Sequence, residues 1–400
     1  MKILVLNAGS SSLKYHLYQM PEGKPLAKGN IDRIGKNDSV LSYYHGEKEK
    51  ELSTSVRKHK DGVALILKQL TDKSEGIIKD LGEIDAAGHR IVHGGAKFTR
   101  DVLIDDNVVE SLDKLLDLAP LHNLPGIHCI QAARKMLPDI PQVACFDTVF
   151  HKTIPPAAYT YGLPHELCEK YRIRRYGFHG LSHKYVSERA AEFLDIPKDK
   201  LNAITCHLGN GCSITAVKNG LSIDTSMGFT PLEGLVMGTR CGDIDPEIIF
   251  FLMDKRRDYK DLARLLNKES GLLGISGISN DMRTLLKLSD QGQEKAKLAI
   301  DVFTYRVKKY IGAYVAAVGN PDTLVFTGGI GENSAQIRKL SCQDLGNIGI
   351  ELDNSKNNDA VNKEDCISNV NSQIKVLVIP TNEEIVIANK TFELAGRTIS

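Results

Sequence analysis

The chain has 400 residues, with 51 Lys and Arg against 50 Asp and Glu for a net charge of +1, and 42% hydrophobic residues. This length exceeds one typical domain of about 100–200 residues, so two domains are expected, and the balanced charge offers no general field for nucleic acid or an anionic membrane. No apolar run reaches the roughly 20 residues needed to span a bilayer, and Met1–Leu6 is far too short for a signal peptide; eight scattered cysteines with no C-x-x-C pair fit reduced thiols, so a cytoplasmic protein is expected.

In chain order, strand-length apolar runs at Ile3–Leu6, Ala203–Cys206, Thr323–Phe326 and Val376–Ile379 alternate with helical patterns at Val108–Leu118, Ile127–Met136, His183–Phe193 and Lys295–Val318. That alternation predicts an α/β architecture. The segments Lys2–Tyr15 and Asn202–Lys218 both run from an apolar strand through a small-residue turn into a second strand. Either a duplicated domain or two ordinary hairpins explains the likeness. Pro155 and Pro156 mark the expected crossing between halves.

Three turns rich in Gly, Ser and Asn expose backbone N–H groups to a phosphate without bulky side chains. They are Asn7-Ala8-Gly9-Ser10-Ser11-Ser12, His207-Leu208-Gly209-Asn210-Gly211 and Thr327-Gly328-Gly329-Ile330-Gly331-Glu332-Asn333, the last expected to lead into a helix near Ser334. Any one of them could be a plain turn; three in one chain argue for phosphate. Walker A, full G-x-G-x-x-G and G-x-S-x-G patterns are all absent, which excludes a P-loop, a dinucleotide fingerprint and a nucleophile elbow. Lys14 follows the first turn on a strand and could reach a nucleotide phosphate, although alone it reads as a solvated lysine. His179 and His183, four residues apart, could share a helix face as zinc ligands, but the Glu of H-E-x-x-H is missing. Arg172, Arg174 and Arg175 form a short basic run with no nucleic-acid motif around it.

The strings VLNAGSSSLK (5–14), GHRIVHGG (88–95), HNLPG (122–126), FDTVFH (146–151), RRYGFHGLSH (174–183), MGTRCGDIDP (237–246), GLLGISG (271–277), FTGGIGEN (326–333) and PTNEE (380–384) resemble the acetate kinase family along the whole chain, in family order. The resemblance implies the fold shared by acetate and sugar kinases, Hsp70 and actin: an α/β, two-domain, duplicated βββαβαβα, ribonuclease H-like architecture with nucleotide in an interdomain cleft. It implies domains at 1–150 plus 385–400 and at 151–384. It further implies a homodimer and a reversible, magnesium-dependent (or manganese-dependent) reaction of ATP and acetate giving ADP and acetyl phosphate, with neither nucleic acid nor membrane as partner.

Joining a carboxylate anion to a polyphosphate anion demands concentrated positive charge and fixed donors. A guanidinium fork suits both anions, and the resemblance places Arg90 and Arg240 in that role. It likewise implies His179 as the group stabilising the migrating phosphoryl and Asp147 as a catalytic carboxylate, although an Asp after a strand also reads as an N-cap. Asn7 and Glu383 are implied near the magnesium ion, which needs few protein ligands. For the substrate methyl the resemblance points to Val92, Leu121, Phe178 and Pro231, with His122 lining the acetate site. For nucleotide it points to His207–Gly211 (Leu208, Gly209 and Asn210 included), Asp281, Met282 and Arg283, and Gly329–Asn333 (Ile330, Gly331 and Glu332 included), to which the first turn and the strand after it add Ser10, Ser12 and Lys14 as candidates. Many relatives carry Phe where Met282 stands, and both can pack on a base. Rival readings are a propionate or butyrate kinase, and an actin-like ATPase that has no use for a carboxylate site.

Overall fold

Lys2–Ala8 (β1) reads KILVLNA, with every residue after Lys2 buried, the continuous apolar run of a strand covered on both faces. The computed structural model in which it lies describes residues 1–115, 120–255 and 258–399, and among these the side chains other than those of 120–122 and 398–399. By its internal contacts the chain divides into two units, Met1–Val149 with Asn382–Ser400, and Phe150–Thr381. The crossing therefore precedes Pro155, which instead caps the short helix Pro156–Tyr159. Residues 382–384 belong to the first unit because the helix they open packs there.

In the first unit β1 is followed by Leu13–Gln19 (β2), Lys24–Asp32 (β3), Ser39–His45 (β4) and Lys48–Thr54 (β5), each antiparallel to the one before. Ala86–Ile91 (β6) lies parallel to β1, Val102–Leu103 (β7) forms an edge, and Gln142–Phe146 (β8) lies parallel to β6. The resulting order is β5-β4-β3-β2-β1-β6-β8-β7. Its β5 edge reads KEKELST, whose charges discourage pairing with another chain. On one face Leu4, Leu6 and Ala8 share a core with Val63 and Ile66 of the helix His59–Leu70 and with Cys129 and Ala133 of the helix Pro120–Met136. Each of the Leu, Val and Ile side chains among these contributes about 1.5–3 kcal/mol on burial. The opposite face is covered by the C-terminal helix Glu383–Ile399. That helix lies so close that a Cβ on Gly88, the partner of Val5, would sit 2.3 Å from Thr391 Oγ1 and 2.6 Å from Ile387 Cγ2.

The second unit repeats the pattern. Ala203–Leu208 (β9), Cys212–Lys218 (β10) and Leu221–Thr225 (β11) form an antiparallel meander, Thr323–Thr327 (β12) runs parallel to β9, and Lys375–Val378 (β14) parallel to β12, with Asp365–Cys366 (β13) at the edge. The order β11-β10-β9-β12-β14 matches β3-β2-β1-β6-β8 strand for strand. The likeness between Lys2–Tyr15 and Asn202–Lys218 thus extends to five strands, which two unrelated hairpins would not produce. One face takes Val186, Ala190 and Ala191 of the helix Gly180–Phe193 against Ala203, Val217, Val325 and Leu377. The long helix Glu294–Val318 packs on β9 and β10, and Phe303, Val307 and Ile311 are among its buried residues.

The strand expectations at 3–6, 203–206 and 323–326 and the helices at 183–193 and 295–318 fall inside observed elements, and the strand expected over Val376–Ile379 ends one residue earlier, at Val378. The pattern at 108–118 is a helix over Asp106–Lys114, and 116–118 lie outside the described residues. The helix expected at 127–136 starts earlier, at Pro120, and runs through Pro125. Its neighbour Gly126 explains why: a Cβ there would meet the Arg90 carbonyl at 3.0 Å and Ile91 Cδ1 at 2.8 Å, so close approach to β6 selects glycine inside the helix. Among the described residues no helix is long and apolar enough to cross a membrane.

Candidate active site

In each unit the chemistry-bearing residues gather where the parallel strands end, the usual ligand-binding edge of an open α/β sheet. In the first unit the register Leu6↔His89 sets Asn7 level with Arg90, and Asp147 follows directly on β8. Arg90 donates from Nε to Asp147 Oδ1 (3.0 Å), from Nη2 to Oδ2 (2.7 Å) and from Nη1 to Asn7 Oδ1 (3.2 Å). The Asn7 amide donates in turn to Glu383 Oε2 (3.2 Å) and Glu384 Oε1 (2.9 Å), both in the first turn of the C-terminal helix. Burial opposes the Arg90 charge, but Asp147, Glu383 and Glu384 outweigh it and push its pKa up. Arg90 is thus fixed as a cation.

Around Arg90 three buried or half-buried carboxylates meet one guanidinium, an excess of negative charge that suits a divalent cation. Among the described residues no three His, Cys, Asp or Glu groups are arranged to hold an ion by themselves. Magnesium fits this donor set, since it keeps several waters and takes only one or two carboxylates with substrate phosphates. The oxygens of Asn7 and Glu383, with Glu384 and Asp147 nearby, would hold it.

The second unit collects histidines. His179 adopts a left-handed backbone (φ 55°) ahead of the helix Gly180–Phe193, and its ring stacks on His207 at 4.3 Å between centroids. His207 leaves β9 on the face that meets that helix, and its Nδ1 lies 2.8 Å from Ser182 Oγ, which reaches Thr381 Oγ1 at 2.8 Å. Arg240 donates from Nη1 to the Pro231 carbonyl (2.7 Å); burial lowers its pKa, with the Cys212 thiol acting against that shift. Gly211 lies directly against both groups: a Cβ there would fall 2.4 Å from Arg240 Nη2 and 3.4 Å from His179 Nε2. An imidazole and a guanidinium therefore converge on the Gly-rich turn 207–211, a donor set for a phosphoryl group.

The first turn closes through Gly9 N–H to the Ser12 carbonyl (2.9 Å), leaving Ser10 exposed, and Lys14 is exposed on β2 opposite Asn7. Val92 is half-buried just past β6, in the first unit; Phe178 and Pro231 are buried in the second. The Leu121 and His122 side chains lie outside the described residues. Asp281 caps the helix Met282–Asp290 and pairs with the exposed Arg283, whereas Met282 is only 3% exposed and faces its own unit's core. Little of Met282 is left to pack on a base.

The third turn is in fact a short helix, Gly328–Asn333, followed by a second helix capped by Ser334. The Glu332 carboxylate turns inward and accepts from Gly328 N–H (2.8 Å), Thr327 Oγ1 (3.2 Å) and Thr381 N–H (3.0 Å). Gly329 and Asn333 remain exposed, Ile330 is half-buried and Gly331 is buried. The zinc reading of His183 fails because both its nitrogens are engaged, Nδ1 with Thr205 Oγ1 (2.7 Å) and Nε2 with Ser213 Oγ (2.7 Å). Arg175 is likewise internal, bonded to Glu233 at 2.7 Å, and Arg174 lies 3.7 Å over the Tyr159 ring, so no basic strip is presented to nucleic acid there. Sequence reasoning missed Glu384, although it stands beside Glu383 in PTNEE, and missed Ser182, Thr205 and Ser213. The two-residue alternation along β9 and β10 that places Thr205 with His207, and Ser213 opposite His207, was the available signal.

The chain matches the Acetokinase family over residues 2–389. It is 55% identical over 397 residues to the acetate kinase of Thermoanaerobacter pseudethanolicus, covering 98% of this chain and 99% of the relative, and 51% identical to that of Clostridium novyi, covering 99% of each. Among solved structures, the Porphyromonas gingivalis acetate kinase aligns with a TM-score of 0.91 at 46% identity, and a propionate kinase from Francisella tularensis with 0.91 at 44%, each over 98% of this chain and 99% of the other. With two like sheets, an arginine–carboxylate cluster on one unit and a histidine–arginine cluster on the other, and relatives of this similarity along its whole length, the chain belongs to the acetokinase family.

Proposed function

We propose that the chain is an acetate kinase that reversibly moves the γ-phosphoryl of ATP onto acetate, giving acetyl phosphate and ADP by direct in-line transfer. The observation that carries the reading is the convergence of Arg240 and His179 on Gly211 of the 207–211 turn. An acetate oxygen attacks the γ-phosphorus as the bond to the ADP oxygen breaks, and charge spreads over the equatorial phosphoryl oxygens. Arg240 and the Nε2 edge of His179 supply donors for those oxygens, and the N–H groups of 207–211 bind the nucleotide phosphates. Arg90, held as a cation by Asp147, offsets the repulsion between acetate and polyphosphate. Magnesium, when bound by Asn7 and Glu383, neutralises phosphate charge. Asp147 orients Arg90 rather than accepting phosphate: its two oxygens are already engaged by the guanidinium. Val92, Leu121, Phe178 and Pro231 are assigned to the substrate methyl, with His122 lining the acetate site; Lys14, Ser10, Ser12, Asp281, Arg283 and 329–333 are assigned to nucleotide.

We place the reaction in the cytoplasm, a setting the eight free cysteines favour, and assign the chain a homodimer. In the helix Glu247–Asp254 Ile248, Phe250, Phe251 and Met253 are 44%, 60%, 59% and 49% exposed, an apolar surface that a second copy would cover. Light scattering that finds a stable monomer would remove the dimer. The reaction is tested by incubating the protein with magnesium, ATP and acetate, propionate or butyrate and trapping acyl phosphate with hydroxylamine. Acetate-dependent hydroxamate is expected, with propionate a poorer substrate, because one methylene typically shifts discrimination by about 1–3 kcal/mol. ADP release without hydroxamate and independent of carboxylate would sink the reading in favour of an ATPase.

A further inference from the structure

Behind His179 lies a file of buried polar groups with no part in the reaction described so far. Ser213 Oγ sits 2.9 Å from His179 Nδ1 and 2.7 Å from His183 Nε2, and His183 Nδ1 sits 2.7 Å from Thr205 Oγ1. Ser213, His183 and Thr205 are all fully buried. Ser213 and Thr205 hang from adjacent strands, β10 and β9, while His183 stands one helical turn beyond His179, its N–H bonded to the His179 carbonyl at 2.9 Å.

A serine hydroxyl has one proton to give, and a neutral imidazole has one N–H. A phosphoryl oxygen at His179 Nε2 accepts only, so Nε2 must carry a proton; in neutral His179 the bare nitrogen is then Nδ1, which needs a donor. Ser213 Oγ is that donor, its single proton is thereby committed, and its other neighbour, His183 Nε2, must donate to it. His183 Nδ1 is then bare and accepts from the Thr205 hydroxyl. Every bond in the file runs one way, Thr205 to His183 to Ser213 to His179 to the phosphoryl oxygen, an arrangement in which each bond polarises the next. If His179 takes a second proton the file reverses: Nδ1–H gives to Ser213, Ser213 gives to His183 Nε2, and His183 Nδ1–H gives to Thr205. Nε2 keeps its proton in both states.

We propose, on the footing of the reading above, that Ser213 is a positioning residue which, backed by His183 and Thr205, keeps His179 a donor at Nε2 whether its ring is neutral or charged. Burial, helped by His151 and His207, holds His183 well below its ordinary pKa and so neutral, as the file requires. The other groups facing this file are also accounted for. His207 stacks on His179; Arg240 approaches it across Gly211; His151, 5.8 Å from His183 between centroids, donates from Nε2 to the Phe178 carbonyl; and the Cys212 thiol is pushed up to about 12 by burial.

The test compares Ser213→Ala, Ser213→Thr and the unaltered protein in the hydroxamate assay from pH 6 to 9. Loss of the residue that orients a donor should cost less than loss of the donor, so kcat for Ser213→Ala should fall about tenfold with both KM values unchanged. Its remaining activity should decline as pH rises, because only charged His179 is then sure of a proton on Nε2. Ser213→Thr, which keeps the hydroxyl, should restore both rate and profile. If the unaltered protein makes hydroxamate and Ser213→Ala matches it in kcat and profile, the positioning role is overturned while the reading of the reaction stands; if the unaltered protein makes none, that reading fails first. A measurement independent of turnover uses nitrogen-15 histidine NMR with a non-hydrolysable ATP analogue, magnesium and acetate bound. Where the same spectra show His179 neutral, His183 should carry its proton on Nε2, and where they show His179 charged, on Nδ1; an Nδ1 proton on His183 beside a neutral His179 overturns the proposal.

Discussion

Gly211→Ala separates folding from catalysis in this chain. The added methyl carbon would lie 2.4 Å from Arg240 Nη2, where ordinary contact begins at 3.4 Å, so the guanidinium must retreat by 1.0 Å or more. Gly211 does not have a positive φ, so the backbone bears no strain. The clash falls on the far end of a flexible side chain that can swing, at the cost of its 2.7 Å bond to the Pro231 carbonyl. Stability should therefore change by only about 1 kcal/mol, the net worth of one hydrogen bond. Catalysis is far less forgiving, since a 1 Å misplacement of a reacting or stabilising group costs about 10²-fold. Steady-state rates of hydroxamate formation beside a thermal melt would measure both. Gly312→Ala, where nothing lies within 4 Å of the new Cβ, serves as the control for activity; inside the helix Glu294–Val318 it should itself stabilise by about 0.5–1 kcal/mol and leave kcat unchanged. Full kcat in a Gly211→Ala protein of normal melting temperature would refute the placement of Arg240 at the transferring phosphoryl.

Three more outcomes are expected. Burial lowers His89 in the first unit and His151 in the second from 6.5 to about 4. Unfolded chains take up these protons below about pH 6.5 while the folded units refuse them until about pH 4, so stability present at neutral pH should fall by about 1.4 kcal/mol per pH unit for each histidine across that window; urea midpoints unchanged between pH 7 and pH 4.5 would contradict this. Arg90→Ala strands the fully buried Asp147 carboxylate and should cost about 3–5 kcal/mol in a denaturation curve, with part recovered by adding Asp147→Asn and no activity recovered. Chelation should abolish hydroxamate formation and added magnesium restore it, with Glu383→Gln demanding more magnesium; activity indifferent to chelator would remove the ion from the reaction.

Residues whose role is written in local pattern were legible before any coordinates. The apolar runs of β1, β9, β12 and β14 announce themselves because strands buried on both faces are nearly all apolar, and long motifs marked Arg90, Asp147, His179 and Arg240. What stayed hidden depends on distant chain segments meeting. The inward-turned Glu332 carboxylate takes one of its three donors from Thr381, 49 residues away. Met282 reads as a base-packing side chain until the helix it opens buries it. Pro125 and Gly126 look like a helix boundary, and only the close approach of β6 shows why a helix passes through them. Ser213 is a small polar residue in a strand, ordinary in sequence until His183 of a helix and His179 just ahead of that helix reach it.

The C-terminal helix has a consequence for how the protein is made. Asn7 is synthesised 376 and 377 residues ahead of the carboxylates its amide bonds to. At about 5–20 residues per second, the Val5 and Gly88 face of the first sheet waits tens of seconds for Ile387 and Thr391, while the whole second unit is synthesised. During that interval the first unit is an unfinished sheet with an uncovered apolar face, open to chaperones and to aggregation. The unit begun first is the last to be completed, and a ribosome that stalls before residue 383 releases a chain with neither the covering helix nor Glu383 and Glu384.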